Sequence, residues 1–234
     1  MFRRLPSLIL ALVLIGFMPQ GASAKYASIV VDADTGRIIH SVNADTQNYP
    51  ASLTKIMTLY LTFEALKAGR ITPNQELPVS SLAERRSPSK LGLRKGQTIK
   101  VDDAINALVT KSANDVATVI AEALGGTENK FADQMTERAK SLGMKDTVFK
   151  NASGLPNRNQ FSSARDMAIL GRAMMRDFPE FYDRFSMESF TWKGTVHRNH
   201  NRLMQTYNGM DGIKTGYTAA SGFNLVASAV RNGK

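Results

Sequence analysis

Hydrophobic residues along the chain change their spacing twice. Residues 27–43, "ASIVVDADTGRIIHSVN", are two β-branched runs around a polar turn, which predicts an antiparallel hairpin. Nine of the fourteen residues 53–66 are apolar, which predicts a helix buried nearly all round. It extends over 50–68 and stops at Gly69. Residues 71–99 are punctuated by Pro73, Pro78, Pro88, Gly92 and Gly96, as in a long irregular excursion with short β pieces. An excursion of this length in a folded domain is usually functional.

Helical spacing follows. Asp102 or Asp103 is placed to cap a helix running to about Val109. After a polar break, a second helix runs from about Asp115 to Leu124 and closes on Gly125-Gly126. Thr127 opens a third, with Phe131, Met135 and Leu142 on one stripe and Gly143 as its stop. Ser163 and Asp166 resemble a capping box for a helix over 164–176. Beyond Pro179 the spacing returns to that of strands, at 186–194, 211–217 and 222–231. "SGFNLVASAV" is apolar on both alternating faces, as in a strand covered on both sides. Asn232-Gly233 is a two-residue hairpin signal, so a returning strand is expected beyond Lys234.

Composition narrows the setting. Residues 1–24 read as a signal peptide: Arg3 and Arg4, an apolar run from Leu8 to Phe17, then Ala22-Ser23-Ala24 as a cleavage site. An uncleaved N-terminal anchor is the alternative, and either makes the protein exported. The net charge is +10, and the leader holds two arginines and no acid, leaving +8 on residues 25–234. A basic exported protein suits anionic wall polymers or lipid headgroups, whereas nucleic acid is a poor partner outside the cytoplasm. The absence of cysteine excludes disulfides, a thiol nucleophile and a Cys-type zinc site. His40, His197 and His200 form no HExxH pattern, which argues against a zinc peptidase. Asp34-Thr35-Gly36 matches an aspartic-protease signature, but Asp and Gly are what a tight turn requires.

Three short patterns carry candidate chemistry. Ser52 and Lys55 stand three apart on the buried helix, hence on one face, with no carboxylate among the helical neighbours. Burial disfavours the ammonium form, and a neutral lysine can accept a proton from serine. The bland alternative is Ser52 as a cap and Lys55 reaching solvent. A second S-x-x-K, Ser87 to Lys90, lies where Pro88 and Gly92 oppose a helix, so its pair need not share a face. In Ser112-Ala113-Asn114, extended backbone would point the hydroxyl of Ser112 and the amide of Asn114 into one cleft, although a simple helix cap fits too. Ser41-Val42-Asn43 repeats that spacing inside the predicted hairpin, as ordinary strand polarity. In "DGIKTGYT", Lys214 and Gly216 share one strand face and Thr215 takes the other; glycine within a strand often marks the close approach of a ligand or backbone.

In the order S-x-x-K, S-x-N, K-T-G these patterns resemble the active-site set of penicillin-binding proteins and class A β-lactamases. The phrases "PASLTKIMT", "LVTKSANDVA", "FSSARDMAIL", "DGIKTGYT" and "GFNLVASA" resemble more closely the serine-type D-alanyl-D-alanine carboxypeptidases, low-molecular-mass penicillin-binding proteins. The likeness runs from about Tyr26 to the last residue. S-A-N in place of S-D-N, and no clear counterpart of the deacylating glutamate of class A lactamases, favour the carboxypeptidases.

This resemblance implies an α+β, three-layer, β-lactamase/transpeptidase-like fold: a five-stranded antiparallel sheet flanked by helices, with an inserted all-helical lobe and the site between them. Residues 25–234 would be one catalytic domain, lacking the family's last strand and final helix. Ser52 would be the nucleophile, Lys55 its base and Ser112 a proton relay. Asn114 would hold a substrate amide, Thr215, with Lys214 behind it, would bind the terminal carboxylate, and Gly216 would also belong to the substrate-binding set. The backbone N–H groups of Ser52 and Tyr217 would form the oxyanion hole, and Lys214 would help to hold Lys55 neutral. The expected substrate is a peptidoglycan stem pentapeptide and the expected inhibitors are β-lactams, with no metal or cofactor. Membrane association through a C-terminal region outside this chain would be peripheral, at the outer face of the cytoplasmic membrane or in the periplasm. A D,D-endopeptidase, a β-lactamase and a silent wall-binding homologue remain open at this point.

Overall fold

A computed structural model describes residues 26–231 and 233. The expected leader, and the Asn232 of the terminal Asn-Gly pair, lie outside the described residues.

The chain opens with the hairpin β1 (Ser28–Val31) and β2 (Ile38–Val42). Its turn is made by Asp32, whose Oδ1 accepts from Thr35 N (2.8 Å) and Thr35 Oγ1 (2.7 Å). Gly36 follows at φ +76, so the D-T-G run is turn chemistry. A 3₁₀ turn, Ala51–Leu53, leads into α1 (Thr54–Lys67), and Gly69 ends that helix at φ +66. Every α1 residue from Thr54 to Phe63 is buried, which explains a sequence with no polar stripe.

The 71–99 excursion contains β3 (Glu76–Pro78), the single turn α2 (Ser81–Glu84) and β4 (Thr98–Lys100), with β3 and β4 paired. Three helices follow: α3 (Val101–Thr110), α4 (Asn114–Gly125) and α5 (Glu128–Ser141). Asp102 and Asp103 do not cap α3. They stand inside its first turn, Lys100 holds the N-cap position without a side-chain bond, and the acids instead face the positive end of the helix dipole. Thr127 caps α5 as expected, accepting from Lys130 N.

Then come α6 (Ala164–Asp177), α7 (Pro179–Tyr182), the hairpin β5 (Ser189–Trp192) with β6 (Thr195–Arg198), the short α8 (Leu203–Thr206), and the long hairpin β7 (Met210–Thr218) with β8 (Gly222–Ala229). Ser163 caps α6 by accepting from Asp166 N, but the box is half made. The Asp166 carboxylate turns instead to Asp146 N and Thr147 Oγ1, both at 2.7 Å, and ties α6 to the segment after α5.

The architecture is α+β, but the expected five-stranded ladder is not continuous. Among the described residues the strands pair only in twos, and β1–β2 and β7–β8 are separate hairpins that both lean on α6. β8 likewise is not covered on both sides: its residues alternate half-buried and exposed, and Phe223 is 91% exposed. Its apolar alternation belongs to a strand with one open face. A single core joins α1, α3, α4, α5 and α6 to the inner side of β7 through Ile213.

Candidate active site

Three pieces of backbone converge where the 3₁₀ turn enters α1. β7 runs alongside the turn, so close that a methyl group at Gly216 would come within 3.0 Å of Ser52 N. The 151–155 turn approaches from the other side, and a methyl on Gly154, at φ +82, would collide with the Ala51 carbonyl. Asn151 Oδ1 shapes that turn by accepting from Ser153 N (3.1 Å) and Gly154 N (2.7 Å). Ala51 and Ser112, both next to or in the motifs, have positive φ (+48 and +56). Such strain in non-glycine residues persists only where the surroundings impose it.

Lys55 is wholly buried, and its Nζ reaches Ser52 Oγ at 3.0 Å, Asn114 Oδ1 at 2.7 Å and the Ser153 carbonyl. It forms no salt bridge with any described residue. Burial lowers its pKa well below the ordinary lysine range, the charge of Lys214 lowers it further, and Asp115 opposes both. The S-x-x-K pair therefore has the geometry its helix spacing predicts: a hydroxyl and an amine in hydrogen-bond contact, the amine inclined to give up its proton. Ser87 and Lys90 lie outside any helix, and Lys90 Nζ donates to the Glu84 carbonyl.

Ser112 and Asn114 both line the same cleft as Ser52, but not through extended backbone. Ser112 is left-handed and Asn114 is the first residue of α4. The cap reading of this motif also fails, because the N-cap is Ala113 and no side chain bonds there. Ser112 Oγ is buried with no hydrogen-bond partner among the described residues. A hydroxyl left unsatisfied in that way costs free energy unless something else meets it.

Lys214, 2% exposed, lies behind this group with the Thr215 carbonyl, at 3.1 Å, as its only partner among the described residues. Burial brings its pKa down from 10.5 to about 7. Thr215, Gly216 and Tyr217 continue β7 along the cleft wall. The cleft has a volume of about 920 Å³, and Leu155, Pro156, His200, Arg202 and Phe223 also line it.

Several site residues had no signal of their own in the sequence. The excursion supplies one wall: the Ser87 carbonyl accepts from Asn114 Nδ2 (2.9 Å) and the Ser89 carbonyl from Asn114 N (2.7 Å). Asp115 is the anchor of that wall. Wholly buried, its carboxylate accepts from the N–H groups of Leu91 (3.1 Å), Gly92 (2.9 Å) and Leu93 (3.1 Å). Its position one residue after S-x-N, at a helix start, is the signal that could have marked it. Replacing Asp115 with alanine strands four donors, these three and its neighbour Val116 N (2.9 Å), each at a cost of about 1 kcal/mol or more. The expected result is a fall in melting temperature of roughly 8–16 °C, with faster proteolysis confined to residues 86–97. A uniform loss of protection along the chain would contradict the anchoring role. His200, given no chemistry from sequence, is an exposed residue of the cleft wall, and partial desolvation followed by Lys214, Lys111 and Lys55 lowers its pKa.

Comparison with known proteins matches this arrangement. A family profile described as D-alanyl-D-alanine carboxypeptidase matches residues 18–234. The chain is 38% identical over 225 residues to the D-alanyl-D-alanine carboxypeptidase DacD of Escherichia coli strain K12, across 92% of this chain and 58% of that protein. It is 33% identical over 246 residues to DacF of Bacillus subtilis strain 168, across 98% of this chain and 63% of that protein. It therefore spans about three-fifths of the length of these relatives. Penicillin binding protein 5 from Haemophilus influenzae superposes with a TM-score of 0.85 at 35% identity, over 92% of this chain and 63% of that one. Penicillin-binding protein D2 from Listeria monocytogenes, solved in an ampicillin-bound form, gives 0.80 at 31% identity, over 88% and 85%. In sequence over nearly its whole length, and in fold, the chain belongs to the D-alanyl-D-alanine carboxypeptidase family.

Proposed function

We propose that this chain carries the catalytic centre of an exported serine D,D-carboxypeptidase that removes the terminal D-alanine from peptidoglycan stem pentapeptides outside the cytoplasmic membrane. The observation that carries the reading is Lys55, buried without a paired carboxylate among the described residues and 3.0 Å from Ser52 Oγ. Ser52 Oγ attacks the carbonyl carbon of the penultimate D-alanine and its proton passes to Lys55 Nζ. The oxyanion is held by the backbone N–H groups of Ser52 and Tyr217, a pairing supported by the close approach of β7 at Gly216 to the turn that carries Ser52, which leaves no room for a side chain there. The C–N bond then breaks, and the departing amine takes a proton relayed from Lys55 through Ser112. Water hydrolyses the resulting ester, returning the proton to Ser52. Asn114 holds a substrate amide, and Lys214 and Thr215 hold the terminal carboxylate. A β-lactam enters by the same attack and leaves more slowly.

The test uses the chain with labelled penicillin and with a peptide ending in D-Ala-D-Ala. Covalent labelling and D-alanine release are expected from the natural sequence, and neither from Ser52→Ala. A labelled Ser52→Ala protein would overturn the assignment. Cleavage of a cross-linked dimer in preference to the pentapeptide would favour an endopeptidase, and rapid nitrocefin turnover a β-lactamase.

A further inference from the structure

An ion pair outside the cleft converges on the same catalytic groups. Glu128, 6% exposed at the start of α5, pairs with Arg86 of the excursion through Oε2. Its other oxygen accepts from Ala152 N at 3.1 Å. Ala152 precedes Ser153, whose carbonyl accepts from Lys55 Nζ, and the Ala152 carbonyl itself accepts from Thr58 Oγ1, one turn along α1 from Lys55. Arg86 precedes Ser87, whose carbonyl accepts from Asn114 Nδ2. Arg86 Nε donates to Thr118 Oγ1 at 2.8 Å, one turn along α4 from Asn114. Thr118 Oγ1 is in turn 3.3 Å from the Asn114 carbonyl and 3.4 Å from Glu128 Oε1.

Arg86 is thus one residue, and Glu128 one hydrogen bond and one residue, removed from a carbonyl that orients a polar group of the site. The excursion, the 151–155 turn and α4 meet at the pair, and neither charge enters the cleft. Burying two charges is seldom the cheapest way to stabilise a fold, since apolar side chains of similar volume often serve as well. A fixed distance between two backbone segments is something a buried pair can supply.

Resting on the proposed acyl transfer, we infer that Arg86 and Glu128 are positioning residues: their ion pair holds the Ser153 carbonyl against Lys55 and the Ser87 carbonyl against Asn114, and so sets the geometry of the acylation step. Its contribution belongs to the chemical step and not to the initial encounter with the ligand.

The experiment compares natural sequence, Glu128→Gln and Glu128→Asp by stopped-flow acylation with a fluorescent penicillin, well below the melting temperature of each. Glutamine still accepts from Ala152 N but removes the charge that pairs with Arg86, leaving it the more weakly acting charge of Glu122 and the bond to Thr118. The expected result for Glu128→Gln is a fall of at least tenfold in the limiting acylation rate, with the non-covalent dissociation constant changed less than twofold. Partial recovery of rate is expected in Glu128→Asp. The acid limb of the rate should also move to lower pH. Lys55, facing Lys214 on β7, Asp115 on α4 and His200 at the cleft wall, would lose a carbonyl that stabilises its cation. A merely structural role would lower the amount of folded protein and leave that limb in place. An unchanged limiting rate in folded Glu128→Gln overturns the inference while leaving the acyl-transfer reading intact. Failure of the natural sequence to be acylated overturns both.

Discussion

Lys55→Arg is expected to acylate with labelled penicillin at least ~10²–10⁴-fold more slowly than the natural sequence, the usual contribution of a general base. Lys55 Nζ has three acceptors around it: Ser52 Oγ, Asn114 Oδ1 and the Ser153 carbonyl. A cation can satisfy all three with its three protons. The free amine donates twice and presents a lone pair to the third, and Ser52, the only one of the three with a proton to give, is that third. The site thus accommodates both protonation states of Lys55 without moving a neighbour, as a proton carrier must. Arginine cannot follow, because its guanidinium keeps its proton at any pH the protein survives and presents donors only. Lys55→Met separates the two effects. It lacks both charge and base, and it strands the Asn114 and Ser153 acceptors. Loss in both variants, with circular dichroism showing a folded chain, identifies proton transfer as the missing function. Acylation of Lys55→Arg at the natural rate would remove Lys55 from the mechanism.

The same balance sets the pH profile. Because burial and Lys214 lower the pKa of Lys55, the free amine appears well below the ordinary lysine range. Acylation should rise with pH across that lowered value and reach its plateau before pH 10. A rise centred near 10.4, the pKa of an unperturbed lysine, would mean that the amine is not desolvated in solution.

What could be read from the sequence follows a physical division. Elements whose cause is local were legible. The Asp32-centred turn, the Thr127 cap and the glycines that end α1 and α5 depend on residues within a few positions of one another. So did the Ser52–Lys55 contact, because helix geometry alone places i and i+3 together. Where the cause is a distant partner, the reading went astray. Asp166 left half of its capping box empty because Asp146 N and Thr147 Oγ1, twenty and nineteen residues away, offered better bonds. Ser112 took a left-handed backbone because the excursion claims the adjoining groups, with Ser89 Oγ donating to the Lys111 carbonyl and the Ser89 carbonyl accepting from Asn114 N. No periodicity in residues 86–93 announces these bonds, since a segment held by backbone contacts to another helix leaves little mark on its own side chains. β8 shows the converse, since apolar residues on both faces of a strand predict burial but cannot say what lies on the far face, which here is exposed. The candidate site was therefore legible as motifs, while its walls were not.

Lys214→Met is expected to weaken the site and strengthen the fold together. In the proposed reaction Lys214 carries the charge that receives a terminal carboxylate, so the variant should lose most of its D-alanine release. Its effect on Lys55 has a definite sign. Removing a neighbouring cation raises the pKa of Lys55, which moves the acid limb of acylation to higher pH. Stability should change the other way. Among the described residues Lys214 is buried with one hydrogen bond and no paired carboxylate, and its pKa falls from 10.5 to about 7 on folding. Between those values the unfolded chain holds a proton that the folded chain has released, so folding becomes more favourable as pH rises through that window. Below pH 7 both states are charged and the whole penalty of the buried ammonium is present, roughly 5 kcal/mol at most. Methionine has a similar volume and no charge. The stability gain of Lys214→Met over the natural sequence should therefore be largest below pH 7 and shrink towards zero by about pH 10.5, a difference that urea denaturation at pH 6 and pH 10 resolves. Lys55 contributes a slope of its own to both proteins and largely cancels in the comparison. A gain of equal size at both pH values would trace the effect to packing, and the buried ammonium would then cost the fold nothing. Retention of that ammonium despite its cost fits a position kept for the ligand, because a carboxylate entering the cleft supplies the partner that the fold withholds.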